Sequence, residues 1–356
     1  MALTRETIFA HRLHRQRLID PLRSRKDYLD LFSQLQPVSP IHFSYPGSPP
    51  GLVHRTTFDA IAEADRHRPD RTLVKGRFLG GGIGYVLGDD LATYATAFRK
   101  PIKELNPNQE LVLEIMREVG PLAPRQIKEE SQHWEDPGLL NKEIMPALHR
   151  LQQAFLVFED QVDTDWERDW NDFAAEWPDI DLEAMAWEKA AAEVLKRLIK
   201  SQVFLTLEQI KDGSGFSLRA LKSLLSEQEK LGALIPAKVE TLGPGWHCPE
   251  DADLESAIPE PSVFMLHKAD PLAKTHTSEL KRRFGNHETL QYLLIDGTFQ
   301  GAVLGHWRIG PHDVEDILVE LLAKERKRRK QAVLEAVSWR YSPPNHHILQ
   351  YDGKKV

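Results

Sequence analysis

The stretch Asn108-Gln109-Glu110-Leu111-Val112-Leu113-Glu114-Ile115-Met116-Arg117-Glu118-Val119-Gly120-Pro121 decides the fold. Its apolar residues recur every three or four positions, which is the spacing of one buried helix face. Gly120-Pro121 ends the helix, because proline lacks the backbone N–H that a continuing helix needs. A short helix at 124–130, a third helix at 140–151 and a strand at 155–158 follow. Helix, short helix, helix and β-wing is the order of a winged-helix module.

The same order of elements returns later in the chain. Residues 194–240 predict a helix, a short helix, a longer helix and a possible wing. The two modules also share a local sequence, Gln126-Ile127-Lys128-Glu129 in the first and Gln209-Ile210-Lys211-Asp212 in the second. A repeated pattern is stronger evidence than a single copy. Tandem winged helices are typical of DNA-binding proteins, although such modules also serve as protein-contact surfaces.

The flanking segments predict further elements. A basic amphipathic helix is expected at 4–18 and a second helix at 26–35. Residues 72–87 predict two strands around a glycine cluster. Near the C-terminus, Asp296-Gly297 predicts a tight hairpin turn, and 312–329 predicts an amphipathic helix.

The expected fold class is therefore α+β, with tandem winged-helix (helix-turn-helix) modules and a small β-rich C-terminal domain. The expected domains are an N-terminal winged-helix-like module with a Gln-Leu-Gln motif at 1–105, a winged-helix module with an acidic Trp-rich linker at 106–186, a winged-helix module at 187–255 and the β-rich domain at 256–356.

The glycine cluster does not fit a nucleotide-binding loop. A phosphate loop needs Lys-Ser or Lys-Thr after its glycines, whereas Ile83-Gly84-Tyr85-Val86 follows here. A dinucleotide-binding loop needs a helix at this point, and this continuation is typical of a strand. The cluster favours a strand-turn-strand with close backbone packing.

Composition limits the compartment and the partners. The chain has 356 residues, a formal net charge of −7 and a single cysteine, Cys248, so an intrachain disulfide is excluded. No apolar run approaches the roughly 18–20 residues that span a bilayer, and the N-terminus lacks the apolar core of a signal peptide. Arginine and lysine concentrate in the first 26 residues and at 324–330, whereas acidic residues concentrate at 159–193. This segregation keeps DNA binding possible, although basic runs are often solvated helix faces.

Ser33-Gln34-Leu35-Gln36-Pro37 is the segment with the clearest chemical interest. It ends an amphipathic stretch at a proline. If the chain runs extended as it meets Pro37, Gln34 and Gln36 point to the same side. Two amides on one side can orient a water or a base edge; the alternative is a solvated helix end.

The element order and several local motifs together resemble the AlkZ/YcaQ family of winged-helix DNA glycosylases over nearly the whole chain. The motifs that carry the resemblance are Gln34-Leu35-Gln36, Val74-Lys75-Gly76-Arg77, Lys268-Ala269-Asp270-Pro271-Leu272, Arg282-Arg283-Phe284-Gly285 and the pair Leu293-Leu294-Ile295-Asp296-Gly297 and Gly301-Ala302-Val303-Leu304-Gly305. The chain departs from the family at Gly81-Gly82-Ile83-Gly84, where family members often carry a histidine.

The resemblance implies a monofunctional DNA glycosylase that hydrolyses the N-glycosidic bond of alkylated bases, either cationic N7- or N3-alkylpurines or bulky and crosslinked bases. The implied partner is double-stranded DNA, with no cofactor, no metal and no membrane, and the implied protein is a cytoplasmic, nucleoid-associated monomer. The implied catalytic residues are Gln34 and Gln36. The implied DNA-binding residues are Arg12, Arg15, His42, His54, Arg55, Lys75 and Arg77.

Amide chemistry restricts that activity. A glutamine does not titrate near neutrality, so it orients water but cannot be a general base. Positioning alone is sufficient only for a base that leaves easily, such as a cationic alkylpurine. Two alternatives stay open. A non-catalytic winged-helix DNA-binding or regulatory protein would bind DNA with a steep salt dependence and release no base, and a protein-interaction scaffold would bind DNA weakly.

Overall fold

The computed structural model describes residues 3–40, 48–160, 168–307 and 312–356. Its helices are α1 Arg5–Arg15, α2 Tyr28–Leu35, α3 Ala60–Arg66, α4 Leu91–Phe98, α5 Pro107–Val119, α6 Pro124–Trp134, α7 Asn141–Gln153, α8 Phe173–Glu176, α9 Trp187–Gln202, α10 Leu207–Ser214, α11 Leu218–Lys230, α12 Pro271–Thr275, α13 Thr277–Phe284 and α14 Ala323–Ser338. Its strands are β1 Leu73–Phe78, β2 Gly82–Leu87, β3 Val157–Glu159, β4 Trp170–Asp172, β5 Leu205–Thr206, β6 Ile235–Val239, β7 Gly243–His247, β8 Val263–His267, β9 Thr289–Ile295, β10 Thr298–Leu304, β11 Asp316–Val319, β12 Gln350–Tyr351 and β13 Lys354–Lys355.

The chain divides into two compact units. The terminal unit contains Met1–Asp27, Leu52–Phe58 and Lys196–Val356, and the central unit contains Tyr28–Gly51 and Asp59–Leu195. The predicted domain limits stay predictions. None of the helices in the described ranges is both long and apolar enough to span a membrane.

The central unit contains a hairpin and a helical cluster. Strands β1 and β2 pair antiparallel from Leu73↔Leu87 to Phe78↔Gly82, which confirms the predicted strand-turn-strand. Gly80 and Gly81 have φ of 76° and 97°, a left-handed conformation that glycine adopts without a Cβ clash.

Helices α5, α6 and α7 pack around one apolar core, and the short antiparallel pair β3–β4 follows them. The core of this cluster is formed by Leu111, Val112, Ile115, Ile127, Ile144, Leu148, Leu151 and Val157, all less than 6% exposed. The predicted order of three helices and a hairpin is therefore observed.

The terminal unit contains the second predicted series. Thr206 caps α10 in a capping box with Gln209, and Gly215 ends that helix with φ of 70°. Ser217 caps α11, and the three short strands associate in the order β5-β7-β6.

This unit also contains a four-stranded sheet in the order β11-β10-β9-β8. Asp296 and Gly297, with φ of 49° and 79°, form the predicted turn between β9 and β10. The predicted helix at 312–329 is wrong. Strand β11 pairs with β10, and α14 begins only at Ala323. Burial of Ile317 and Val319 on one side of β11 follows the two-residue period of a strand.

Candidate functional site

The two motif glutamines occupy different environments. Gln34 lies in α2 and is exposed, whereas Gln36 directly follows the helix and is 8% exposed. The backbone N–H of Gln36 donates to Phe32 O at 2.9 Å, so the helical ladder continues through the motif. Residues two apart in a helix point about 200° apart. The expectation of two amides on one side, which assumed an extended chain, is therefore not met.

The buried amide of Gln36 is paired on both of its polar atoms. Its Nε2 donates to Asp90 Oδ2 at 2.6 Å, and its Oε1 accepts from Leu87 N at 2.8 Å. These bonds satisfy an amide that would otherwise be costly to bury. They also join the end of α2 to the end of β2 and the start of α4.

A cavity of about 450 Å³ lies beside this motif in the central unit. Ser33, which precedes Gln34, and Leu87, which donates to Gln36, both line it. The other lining residues are Leu29, Asp30, Asp70, Arg71, Thr72, Gly88 and Asp89.

Three carboxylates and one guanidinium give this cavity a negative balance. Hydrogen bonds from Thr72 lower the pKa of Asp70 below its ordinary value, because they favour the ionised carboxylate. The guanidinium of Arg71 contacts Glu176 at 2.9 Å and Asp160 at 3.7 Å, so other carboxylates offset its charge. Such a cavity suits a cation. In the described ranges, no three His, Cys, Asp or Glu side chains are grouped to hold a metal ion.

Two arginines expected at DNA are interior groups of the terminal unit. Arg12 is 2% exposed and donates to Gln202 O at 2.9 Å and to Phe204 O at 2.8 Å. Burial lowers its pKa to about 10. Arg55 is fully buried and forms a bidentate pair with Asp270 at 2.7 and 3.0 Å. Since neither side chain reaches the surface, the expected DNA contacts do not fit these two residues.

Arg15 and His54 also have protein partners in this unit. Arg15 contacts both Asp251 oxygens at 2.6 and 3.0 Å. The His54 ring nitrogen Nε2 lies 3.0 Å from Met265 O, and its ring packs 4.7 Å from that of Trp339. Burial, more than any other cause, lowers the His54 pKa below its ordinary value.

Lys75 and Arg77 lie on one face of β1 in the central unit. Lys75 is buried and pairs with Glu159 at 2.9 Å, and burial lowers its pKa to about 8. Arg77 is half-buried; its Nε donates to Gln152 Oε1 at 2.5 Å. Lys75 thus has no surface for a phosphate, whereas Arg77 keeps some exposure. His42 lies outside the described residues.

Sequence reasoning missed Asp90 and the carboxylates of the cavity. A signal was present, because Asp89-Asp90 precedes the apolar stretch of α4 and acidic residues favour a helix start. That signal predicts a helix boundary, whereas the contact with Gln36 joins residues 54 positions apart.

Comparison with known proteins adds independent findings. A family model described as "DNA glycosylase AlkZ-like" matches residues 34–341. Among solved structures, the Streptomyces sahachiroi DNA glycosylase AlkZ has a similar fold, with a TM-score of 0.70 and 14% sequence identity. The alignment covers 99% of this chain and 100% of that chain. No curated protein matches the sequence. The matched range includes both Gln34 and Gln36.

Proposed function

Because the chain belongs to the AlkZ-like DNA glycosylase family, we propose that it excises alkylated bases from double-stranded DNA, with cationic N7- or N3-alkylpurines preferred over bulky and crosslinked bases. The observation that carries this lesion preference is the carboxylate-lined cavity at Ser33, the residue that precedes Gln34. The proposal includes tandem winged-helix modules at α5–α7 with β3–β4 and at α9–α11 with β5–β7, on the strength of their element order.

The reaction is a hydrolysis without a cofactor. The bond between C1′ and the base nitrogen breaks, and its electron pair stays with the base. A cationic alkylpurine thereby leaves as a neutral molecule. Water oxygen bonds to C1′, and the released proton passes to solvent. The protein has to bind the lesion, orient that water and stabilise positive charge on the sugar.

Gln34 is the residue that we assign to the water. Its side chain is exposed at the end of α2, so its amide oxygen and nitrogen are accessible to solvent. Gln36 is assigned a supporting role, since its amide already bonds Asp90 and Leu87. Both roles depend on hydrogen bonding and not on proton transfer, which agrees with a restricted substrate range.

Asp30, Asp70 and Asp89 provide the electrostatic contribution. Negative charge beside the reacting sugar stabilises an oxocarbenium-like transition state, and it attracts a cationic base before the bond breaks. A neutral lesion gains less from both effects. We place the protein in the cytoplasm at the nucleoid, because its proposed substrate is chromosomal DNA. We also propose that it acts as a monomer.

The test is excision from a duplex that carries one N7-methylguanine. Hot alkali converts each abasic site into a strand break that is read on a gel. We expect breaks with the unmodified protein and a large loss with Gln34→Ala. The matched control is Gln132→Ala, which changes an exposed glutamine of α6 in the same unit.

Two results contradict the proposal. Unchanged excision by the Gln34→Ala protein would show that Gln34 does not orient the attacking water. Absence of excision with every alkylated base, together with retained DNA binding, would favour a non-catalytic DNA-binding protein.

A further inference from the structure

The DNA-contacting surface needs cations other than the buried ones. A phosphate contact requires an exposed cation, and a neighbouring carboxylate weakens it. Arg12, Arg55 and Lys75 are buried and bonded to protein groups. These residues therefore stabilise the fold, and other, exposed cations must contact the phosphate backbone of a duplex.

Helix α11 of the terminal unit has an exposed basic face. Its buried side is apolar, with Leu221, Leu224 and Leu225 at most 2% exposed. The opposite side follows the three- and four-residue spacing of one helix face. The exposed residues on that side are Arg219, Lys222, Ser223, Ser226 and Lys230.

The positive charge of this face is not neutralised by salt bridges. Within the described ranges, Arg219, Lys222 and Lys230 form no ion pair. Two exposed carboxylates, Glu227 and Glu229, lie at the edges of the face. Glu229 is engaged with the following hairpin, because its Oε1 accepts from Trp246 Nε1 at 2.6 Å.

The neighbouring elements leave α11 on the outside of its own module. Helix α10 is held against α13 by the bidentate pair of Arg282 with Glu208 at 2.6 and 2.8 Å. Ser278 adds a hydrogen bond to Asp212 at 2.7 Å. The hairpin β6–β7 follows α11 and exposes Lys238. A helix after a short turn, followed by a wing, is the arrangement in which the third helix approaches DNA.

The corresponding helix of the first module lacks this face. Arg150 of α7 donates to Lys100 O at 2.7 Å and to Pro101 O at 3.0 Å, so its guanidinium is engaged within the central unit. Pro146 occupies an exposed position of the same helix. Lys142 is the remaining exposed cation of α7 in the described structure. One exposed cation on α7 contrasts with three on α11.

The denser basic run at 324–330 is largely paired. Its arginines contact carboxylates of the same unit, which reduces the field available to a phosphate. The pairs are Arg326–Asp352, Arg328–Glu325 and Arg329–Asp296.

We propose that α11 is the DNA-contacting helix of the terminal unit, with Arg219, Lys222 and Lys230 at phosphates of a duplex. Ser223 and Ser226 lie between these cations and donate or accept hydrogen bonds at the groove. The inference rests on the proposed function, because it identifies the surface with which a DNA glycosylase of this sequence holds its substrate. It predicts that Lys142 of α7 contacts no phosphate.

The experiment measures binding of an undamaged duplex by fluorescence anisotropy over a series of salt concentrations. The test protein carries Arg219→Gln and Lys222→Gln, and the matched control carries Lys142→Gln. Each lost phosphate contact lowers the salt slope by about 0.9, so the double variant should lose about 2 from its slope and bind about tenfold more weakly. The control should bind as the unmodified protein does. Thermal unfolding of all three should coincide, since the changed side chains are exposed.

Unchanged binding by the double variant would overturn the inference, and so would an equal loss in both variants. An unmodified protein that binds no duplex would also overturn it. Failure of the proposed function has a different signature. In that case the duplex is bound and the α11 variant weakens binding, but N7-methylguanine is not excised.

Discussion

Gln36 Nε2 donates to Asp90 Oδ2 across 2.6 Å, and this hydrogen bond connects the end of α2 with the start of α4. The Gln36 Oε1 accepts from Leu87 N at 2.8 Å, so the amide is held from both sides. An amide bonded in this way has one orientation, which also sets the path of the chain after Gln34. The exposed glutamine of the motif is thus positioned by the buried one.

Replacing Asp90 should destabilise the protein. Asp90→Ala leaves Gln36 Nε2 buried without this acceptor, and a buried unsatisfied donor costs about 1–3 kcal/mol of unfolding free energy. Urea denaturation measures the change. Asp89→Ala is the control, because Asp89 is exposed and its loss should stay within about 0.5 kcal/mol. Equal stability of the two variants would argue against the role of the hydrogen bond.

Substitution of the two motif glutamines should have different effects on excision activity and on stability. Gln34→Ala should reduce N7-methylguanine excision about 100-fold, the effect of losing one preorganised hydrogen-bonding group. Its unfolding free energy should change by less than about 0.5 kcal/mol. Gln36→Ala should lower both quantities, because it leaves the Leu87 N–H without an acceptor. Excision assays and urea denaturation of both variants provide the comparison. A Gln34→Ala protein that is as unstable as Gln36→Ala would contradict it.

The carboxylates of the cavity should favour a positive charge on the sugar. Two duplexes test this, one with a cationic pyrrolidine abasic analogue and one with a neutral tetrahydrofuran analogue. Asp70→Asn combined with Asp89→Asn should reduce the preference for the cationic analogue about tenfold, or about 1.4 kcal/mol. Asp179→Asn, an exposed position outside the cavity, is the control. A preference that survives in the double variant would mean that the cavity does not act on the sugar.

Arg55 should contribute to the unfolding free energy of the protein. Arg55→Ala leaves the Asp270 carboxylate buried and unpaired, which costs about 3–5 kcal/mol of unfolding free energy. Arg282→Ala removes an exposed pair with Glu208 and should cost at most about 1 kcal/mol. Chemical denaturation distinguishes the two. Weaker DNA binding by Arg55→Ala without a loss of stability would instead support the DNA contact that its burial argues against.

Stability should depend on pH through His54. Its pKa in the folded protein is lowered from 6.5, so the unfolded chain binds the proton more readily. The contribution of His54 is therefore present above pH 6.5 and is lost as the pH falls from that value through the lower pKa of the folded protein. Urea denaturation at about pH 7.5 and about pH 5.5 should show a smaller decrease for His54→Gln than for the unmodified protein. Equal decreases would mean that His54 does not titrate differently on folding.

Local signals in the sequence predicted much of the fold. The Asp296-Gly297 turn, the helix faces of α5, α7 and α11 and the glycine turn after β1 each depend on residues close in sequence. The helix predicted over 314–321 is wrong because the apolar residues of this segment fit a helix as well as a strand. The segment forms strand β11 because the edge of β10 supplies its hydrogen-bonding partners.

The amino-acid sequence by itself determined the series of helices and hairpins, the motif Gln34-Leu35-Gln36 and its family resemblance. The tertiary structure alone decided which glutamine is exposed and which cations are buried. Gln36 meets Asp90 and Arg55 meets Asp270 across 54 and 215 positions. Neither partner can be read from the residues nearby, because burial and pairing arise from the packing of distant segments. Function in this protein therefore depends on exposure that the chain acquires only when it folds.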